Sequence, residues 1–254
     1  MRQQLDVEME HGEQTVLRAI AALAKQIPHK VVLEDQTFKT LTYQRLLVGT
    51  DVLAAQWAKR LDPNTERVGV LLPNVNSMVA TLTSLWASSK VPAILNYTSG
   101  AAAMLQCTEL AGVKQVITSR AFLEKAKLEI EPFEEAGLEI IYLEDVGESI
   151  SAVSKLLALL NQKLNPLAGQ YTPFTDTAAV LFTSGSEGTP KGVELTHQNL
   201  LANVRQCMSV IDLKDSDRFF TCLPLFHSFG LPAGDLHSEW IFAPMRSTLL
   251  TYSE

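Results

Sequence analysis

The sequence has few cysteines and little positive charge. Its three cysteines, Cys107, Cys207 and Cys222, are widely spaced, odd in number and without a histidine at metal-ligand spacing. This pattern excludes a disulfide framework and a Cys/His metal site, and predicts reduced packing residues. Lys and Arg number 21 against 28 Asp and Glu, which gives a net charge of -7 with no basic block. Nucleic acid is therefore not expected as the main partner.

Long apolar runs are also missing. No stretch approaches the length of a bilayer-spanning helix, and the charged start MRQQLDVEMEH lacks the apolar centre of a signal peptide. We therefore expect a cytoplasmic chain without a transmembrane segment. Hydrophobic residues still make up 46% of the 254 residues, enough to fill the core of one large α/β domain or two small ones.

Helix-like and strand-like segments alternate along the first two thirds of the chain. Apolar spacing predicts helices over 12–27, 43–62, 77–89, 101–111, 121–136 and 149–164. Short apolar runs predict strands over 31–36, 67–73, 91–97, 113–119 and 138–144. The predicted apolar face of the first helix consists of Val16, Ile20, Leu23 and Ile27. Thr42 is expected to cap the second helix, whose predicted apolar face consists of Leu46, Leu47, Leu53, Ala54 and Trp57. Because strands and helices alternate, the sequence predicts an α/β fold with a parallel sheet flanked by helices, followed by a connector up to about residue 175.

The most informative stretch follows the apolar, β-favouring run AAVLF at 178–182. Residues 183–192 read TSGSEGTPKG. Glycines allow a polyanion to approach backbone N–H groups, and hydroxyl side chains add further donors. Lys191 supplies positive charge. The predicted phosphate-binding residues are Thr183, Ser184, Gly185, Ser186, Gly188, Thr189, Lys191 and Gly192.

Two familiar phosphate loops do not fit this stretch. Pro190 precedes Lys191 and Gly192 follows it, whereas a P-loop needs G-x-x-x-x-G-K-(S/T), and no G-x-G-x-x-G is present. A solvated hairpin loop without function remains the alternative, since Gly, Ser, Pro and Thr are ordinary loop formers. After the loop, Thr196 is expected to cap a helix that begins with His197, predicted to be a surface or capping residue. The apolar face predicted for that helix consists of Leu200, Leu201, Val204, Met208 and Ile211.

The segment FTSGSEGTPKGV resembles the phosphate-binding signature (S/T)-S-G-(S/T)-x-G-x-P-K-G of the adenylate-forming superfamily. The resemblance runs from about residue 30 to residue 234, and it is strongest to bacterial synthetases that join fatty acids to acyl carrier protein. Other stretches that carry it are LNYTSG (95–100), ITSRAFLEKAKLE (117–129), IYLEDV (141–146) and DRFFTCLPLFHSFGL (217–231).

The resemblance implies ATP-dependent activation of a fatty acid, with Mg²⁺, followed by acyl transfer to the thiol of acyl carrier protein or coenzyme A. Lys191 and His227 would be catalytic, and Phe226, His227, Phe229 and Gly230 would bind substrate. A histidine between phenylalanines is also a common core residue. An acyl-CoA synthetase, a nucleotide-binding fragment without catalysis and an inactive remnant remain alternatives.

The same resemblance implies the N-terminal part of an adenylate-forming domain, incomplete at its C-terminus. Its expected parts are a first α/β half at 1–165, the phosphate loop and the start of a second half at 166–234, and an atypical tail at 235–254. The superfamily's downstream glutamate motif, ribose-binding aspartate and catalytic lysine are absent from the sequence. We therefore expect a truncated or frame-shifted product with impaired activity, and any peripheral association with the inner membrane to depend on missing parts.

Overall fold

The computed structural model describes residues 15–35, 38–164, 176–184, 189–210 and 224–227. The helices are α1 (Val16–Gln26), α2 (Tyr43–Arg60), α3 (Asn76–Ala87), α4 (Ala101–Leu110), α5 (Arg120–Ala126), α6 (Glu131–Glu135), α7 (Leu143–Glu148), α8 (Ala152–Leu164) and α9 (His197–Val210). The strands are β1 (Val31–Glu34), β2 (Thr40–Thr42), β3 (Arg67–Val70), β4 (Val91–Ile94), β5 (Gln115–Thr118), β6 (Glu139–Tyr142), β7 (Thr177–Ser184) and β8 (Pro190–Thr196).

The chain divides into two compact units. One unit comprises residues 1–47, 171–176 and 196–254, and the other comprises residues 48–170 and 177–195. The second unit, called here the sheet unit, carries the residues of the predicted phosphate loop. His227 belongs to the first unit.

The sheet unit is built on six strands in the order β6-β5-β3-β4-β7-β8. Four neighbouring pairs, β3 with β4, β3 with β5, β4 with β7 and β5 with β6, are parallel. Every residue of β4 and of β5 is buried, as expected for parallel strands covered on both faces. The predicted α/β fold with a parallel sheet flanked by helices is confirmed.

One face of the sheet is covered by α4, α5 and α6. Met104, Cys107, Phe122 and Phe133 from these helices are buried in one cluster with β-strand residues such as Val116. Cys107 is a free, buried cysteine, as expected of a packing residue, and burial raises the pKa of its thiol. Cys222 and the side chain of Cys207 lie outside the described residues.

The face that α2 buries differs from the predicted one. Leu46, Leu47 and Trp57 are buried as expected, but Leu53 and Ala54 are only half-buried, and Thr50, Val52 and Gln56 are buried instead. Within the sheet unit, polar side chains are tolerated because they find partners on α3. Thr50 and Thr83 hydroxyls lie 2.7 Å apart, and Trp57 Nε1 donates to Ser84 Oγ at 2.7 Å.

Most predicted elements have somewhat different bounds in the structure, and two of them have an evident local cause. The helix expected over 121–136 is split into α5 and α6, because Lys127 adopts a left-handed conformation with φ 53 and Pro132 starts a new helix. The strand expected over 138–144 ends at Tyr142, where α7 begins. The first difference arises at a turn, whereas the second arises where the strand passes directly into a helix.

The first unit contains α1, the antiparallel pair of β1 and β2, and α9. The buried stripe of α1 starts at Leu17 and not at Val16, because Leu17, Ile20, Ala21 and Ala24 follow helical spacing on the packed face. Thr42 Oγ1 accepts a hydrogen bond from Arg45 N at 3.2 Å, which confirms the predicted cap of α2. The predicted elements at 12–14, 36 and 165–175 lie outside the described residues.

No helix in the described ranges combines the length and apolar composition needed to cross a bilayer.

Candidate functional site

The candidate site lies at the carboxyl edge of the parallel strands. Ala93 pairs with Val180 and Ile94 with Leu181, so β4 and β7 run side by side and their following residues leave the sheet at the same edge. In open α/β sheets this edge is where ligands bind. The register therefore brings Asn96, after β4, and Thr183, near the end of β7, to one edge.

β7 is a buried strand that emerges at its end. Residues from Ala178 to Leu181 are buried, Phe182 is half-buried and Thr183 is exposed. Trp86 Nε1 donates to the Ala178 carbonyl oxygen at 2.6 Å and fixes the start of the strand. The buried part thus acts as a rigid base for the predicted phosphate loop. Ser184 ends β7, and its side chain lies outside the described residues, as do Gly185, Ser186, Glu187 and Gly188.

The other end of the loop is described from Thr189 onward. Thr189, Lys191 and Gly192 are exposed. Lys191 forms no ion pair with any residue that the structure describes, whereas Lys90 donates to the carbonyl oxygens of Asp62, Pro63 and Thr65. Lys191 is therefore a cation that this part of the fold does not use for its own stability.

β8 is held in place beyond the loop by Glu194. This side chain forms an ion pair with Arg67 of β3 and accepts a hydrogen bond from Thr177 Oγ1 at 3.1 Å. Both ion-pair partners are partly exposed, so the pair contributes at most about 1 kcal/mol. The main effect of this ion pair is to fix β8, the strand that carries Lys191.

A polar turn after β4 also lies at this edge, within the LNYTSG stretch (95–100) that carries the resemblance but was given no site residue from the sequence. Asn96 Oδ1 accepts hydrogen bonds from Thr98 N at 2.9 Å and Thr98 Oγ1 at 2.7 Å, and Ser99 Oγ donates to the Asn96 carbonyl oxygen at 2.7 Å. Gly100 then adopts φ 84 at the start of α4. Polar residues directly after a buried parallel strand are the sequence signal that points to such a turn.

His227 lies in a short described turn of the first unit. Its backbone N donates to the Pro224 carbonyl oxygen at 3.0 Å, and its ring centroid lies 4.7 Å from that of Phe226. Phe226 is buried, whereas His227 is exposed, so His227 is not a core histidine. Phe229 and Gly230 lie outside the described residues.

His197 is not the surface residue that the sequence led us to expect. It is buried at the start of α9, its backbone N donates to the Asp176 carbonyl oxygen at 3.2 Å, and burial lowers its pKa to about 4. The predicted cap is confirmed by reciprocal bonds between Thr196 and Asn199 at 3.0 and 3.1 Å. Of the two predicted alternatives for His197, the surface position is wrong, because the start of a helix does not reveal burial against another helix, whereas its ring does act as a cap by accepting from Val16 N at the start of α1. Leu200 and Leu201 are buried as predicted, Val204 is half-buried, and Ile211 and the Met208 side chain lie outside the described residues.

The described residues contain no group of three or more His, Cys, Asp or Glu side chains that could hold a metal ion.

A six-stranded sheet with a parallel centre and flanking helices defines an α/β protein with an open sheet. The AMP-binding enzyme profile matches residues 20–234, and the chain belongs to this family. The superfamily predicted from the signature at 183–192 is thereby confirmed.

The relatives of the chain include acid–thiol ligases. Over 88 residues the chain is 33% identical to the chloroplastic long-chain-fatty-acid–acyl-carrier-protein ligase AEE15 of Arabidopsis thaliana. This match covers 35% of this chain and 12% of that protein. Over 241 residues the chain is 29% identical to the sulfoacetate–CoA ligase of Cupriavidus necator. This match covers 91% of this chain and 45% of that protein. The chain thus spans less than half the length of both relatives.

Among solved structures, the fold resembles the o-succinylbenzoate coenzyme A synthetase MenE of Bacillus subtilis in complex with ATP and magnesium ion. The TM-score is 0.69 at 22% identity, and the match covers 87% of this chain and 54% of that one. This likeness supports the fold of the N-terminal part of an adenylate-forming enzyme.

Proposed function

We propose that this chain is the phosphate-binding part of a ligase that activates a fatty acid as its acyl-adenylate and transfers the acyl group to acyl carrier protein. The observation that carries the proposal is the exposed Lys191, without an ion pair among the described residues, at the carboxyl edge of a parallel sheet. Family membership supports adenylate chemistry, and the name of the Arabidopsis relative supports the fatty acid and the carrier protein.

In the proposed first step, a carboxylate oxygen attacks the α-phosphorus of ATP while the bond to the pyrophosphate oxygen breaks. Both reactants are anions, so the step depends on positioning and on positive charge near the phosphates. Lys191 supplies that charge, and Thr183 and Thr189 are exposed on either side of the loop. Ser184, Gly185, Ser186, Gly188 and Gly192 complete the proposed phosphate-binding set.

Magnesium fits this site as a companion of the nucleotide. Since the described residues hold no cluster of metal ligands, the ion would take its oxygens mainly from phosphates and water, as Mg²⁺ often does. When bound, it would neutralise charge on the phosphate oxygens. The residues of this chain would then orient the nucleotide through backbone N–H groups, hydroxyls and Lys191.

His227 is proposed to orient the substrate carboxylate, with Phe226, Phe229 and Gly230 contributing to the acyl site. The exposure of the His227 ring supports a role outside the core. In the second step, the thiol sulfur attacks the acyl carbon and AMP leaves. Coenzyme A as acceptor is the second candidate, favoured by the name of the Cupriavidus relative. Nucleotide binding without catalysis is the third.

The test is fatty-acid-dependent exchange of labelled pyrophosphate into ATP, measured beside the melting temperature with and without Mg-ATP. We expect Lys191→Ala to abolish both effects and Lys125→Ala, which removes another exposed lysine of the sheet unit, to leave them intact. A melting shift without exchange would favour nucleotide binding without catalysis. Equal results for both variants would overturn the role of Lys191, and parallel assays with acyl carrier protein and coenzyme A would decide the acceptor.

A further inference from the structure

Asn96 leaves the sheet next to the first residue of the predicted phosphate loop. Ile94 of β4 pairs with Leu181 of β7 in parallel register. Two residues further along each chain are Asn96 and Thr183. Neighbouring strands lie about 4.8 Å apart, so these two residues leave the sheet side by side. Asn96 is therefore a neighbour of the predicted phosphate-binding set, although it was not included in that set.

The side-chain amide of Asn96 has a fixed orientation. Its Oδ1 atom accepts hydrogen bonds from Thr98 N at 2.9 Å and from Thr98 Oγ1 at 2.7 Å. A backbone N–H can be met only by the amide oxygen, so the NH2 group of Asn96 lies on the other side of the amide, away from Thr98. The side chain is also half-buried. Because the donor group is already held in place, a ligand that binds it does not have to order it.

The NH2 group of Asn96 is the side-chain donor that this turn leaves unused. Thr98 and Ser99 both donate their hydroxyl protons to Asn96, one to its Oδ1 and the other to its carbonyl oxygen. The Nδ2 atom of Asn96 forms no hydrogen bond within the described ranges. Its two protons are therefore available to an acceptor that is not part of this turn.

The surroundings of this donor suit an anion. Residues 71–78, 95–102 and 181–184 lie at or directly after the carboxyl ends of β3, β4 and β7, and they contain no acidic side chain. A carboxylate among them would repel a phosphate and would compete for the NH2 group of Asn96. Lys191 supplies positive charge for the proposed phosphate site, and a neutral amide would add directed hydrogen bonds to it.

We propose that Asn96 is a further nucleotide-binding residue, whose Nδ2 donates to a phosphate oxygen of ATP beside Thr183. This inference rests on the proposed function, because it adds a residue to the phosphate site of that ligase. The carboxylate of the fatty acid is the other anionic acceptor that such an amide could bind. The position of Asn96 next to Thr183 favours the phosphate, and the two acceptors can be separated by experiment.

The test is calorimetric titration of the 254-residue chain with magnesium tripolyphosphate and with Mg-ATP. Tripolyphosphate carries the phosphates without adenosine and so isolates the contact that we propose. Asn96→Asp keeps the Oδ1 atom that accepts from Thr98 but replaces the NH2 donor by a charged oxygen. We expect this variant to bind both ligands about tenfold or more weakly and to keep nearly the same melting temperature. Asn96→Ala also removes the acceptor of the turn, so it should lower both affinity and melting temperature.

The matched control is Gln106→Glu, because Gln106 is an exposed amide of α4 in the same unit and its replacement adds the same charge. This variant should bind both ligands like the unchanged chain. Equal losses in Asn96→Asp and Gln106→Glu would overturn the proposal, since they would reflect net charge alone. So would weaker binding of the fatty acid with unchanged binding of tripolyphosphate, which would assign Asn96 to the carboxylate.

The role of Asn96 and the proposed function can fail separately. If Asn96→Asp binds both ligands like the unchanged chain while Lys191→Ala does not bind them, the role of Asn96 is overturned and the phosphate site remains. If the unchanged chain binds neither tripolyphosphate nor ATP, both proposals are overturned together.

Discussion

The imidazole Nδ1 of His197 accepts a hydrogen bond from the backbone N–H of Val16 at 3.4 Å. This bond joins the first residues of α9 and α1 inside the first unit. The first N–H groups of a helix have no partner within it, and Thr15 Oγ1 already accepts from Arg18 N. His197 thus supplies a second acceptor for α1, which it can do only while the ring is neutral.

The burial of His197 predicts a pH dependence of stability. Burial lowers the pKa of the His197 ring to about 4 in the folded chain, below the ordinary value of about 6.5 for histidine, so between these values the unfolded chain binds the proton first. The contribution of the neutral His197 ring to the free energy of unfolding is fully present above pH 6.5. It is lost as the pH falls, and the free energy of unfolding is lower by about 3 kcal/mol near pH 4. Urea unfolding across this range measures it.

His197→Asn is the control for this titration, because asparagine offers an acceptor oxygen but no proton-binding ring. It should reduce the slope of stability against pH between 4 and 6.5. An unchanged slope in this variant would assign the pH dependence to other groups.

The two tryptophans of the sheet unit predict a local effect on β7. Trp86→Phe keeps an aromatic ring but removes the donor to the Ala178 carbonyl, which should cost about 1 kcal/mol and speed hydrogen exchange in β7. Trp57→Phe removes a bond of the same kind to Ser84, away from β7. It should lower stability by a similar amount without a selective effect on β7. Equal exchange rates in β7 for both variants would contradict this.

Two glycines of the sheet unit should respond differently to alanine. A Cβ at Gly69 would lie 3.0 Å from Val116 Cγ2 and 3.1 Å from Val113 Cγ1, so Gly69→Ala should cost about 1–3 kcal/mol. A Cβ at Gly192 would meet nothing closer than 3.6 Å, and Gly192→Ala should change stability by less than about 0.5 kcal/mol. If Gly192→Ala nevertheless weakens ATP binding, the glycine is needed for the approach of phosphate. Comparable losses of stability in the two variants would be the contrary result.

Arg205 predicts a stabilising substitution. It is buried on α9, its Nε and Nη1 atoms have no hydrogen-bond partner within the described ranges, and burial lowers its pKa. Methionine of similar length would remove the cost of burying this charge, so Arg205→Met should raise the melting temperature. Arg45→Met, at an exposed position of α2, should leave it nearly unchanged. A clear loss of stability in Arg205→Met would mean that the guanidinium is paired.

Sequence reasoning succeeded where local pattern and tertiary environment agree. The run at 178–182 predicted a buried strand and the glycines after it predicted a loop, and β7 emerges from the core at Thr183. The apolar period of α8 was equally clear, yet it could not reveal that Val153, Leu156 and Leu157 are exposed, because periodicity identifies a face and not its direction. For the same reason His197 was expected at the surface. Position in a helix is a local property, whereas burial depends on which distant segments pack against it.

The pairing of β7 with β4 has a consequence for the order of folding. Ala93 and Val180 are neighbours in the sheet, although α4, β5, α5, α6, β6, α7 and α8 all lie between them in the chain. Contacts that close such a long loop form late, after local helices and nearer strand pairs. The strand that precedes the predicted phosphate loop is therefore expected to join a sheet that is already largely assembled, and the proposed ATP binding should be among the last properties to return during refolding.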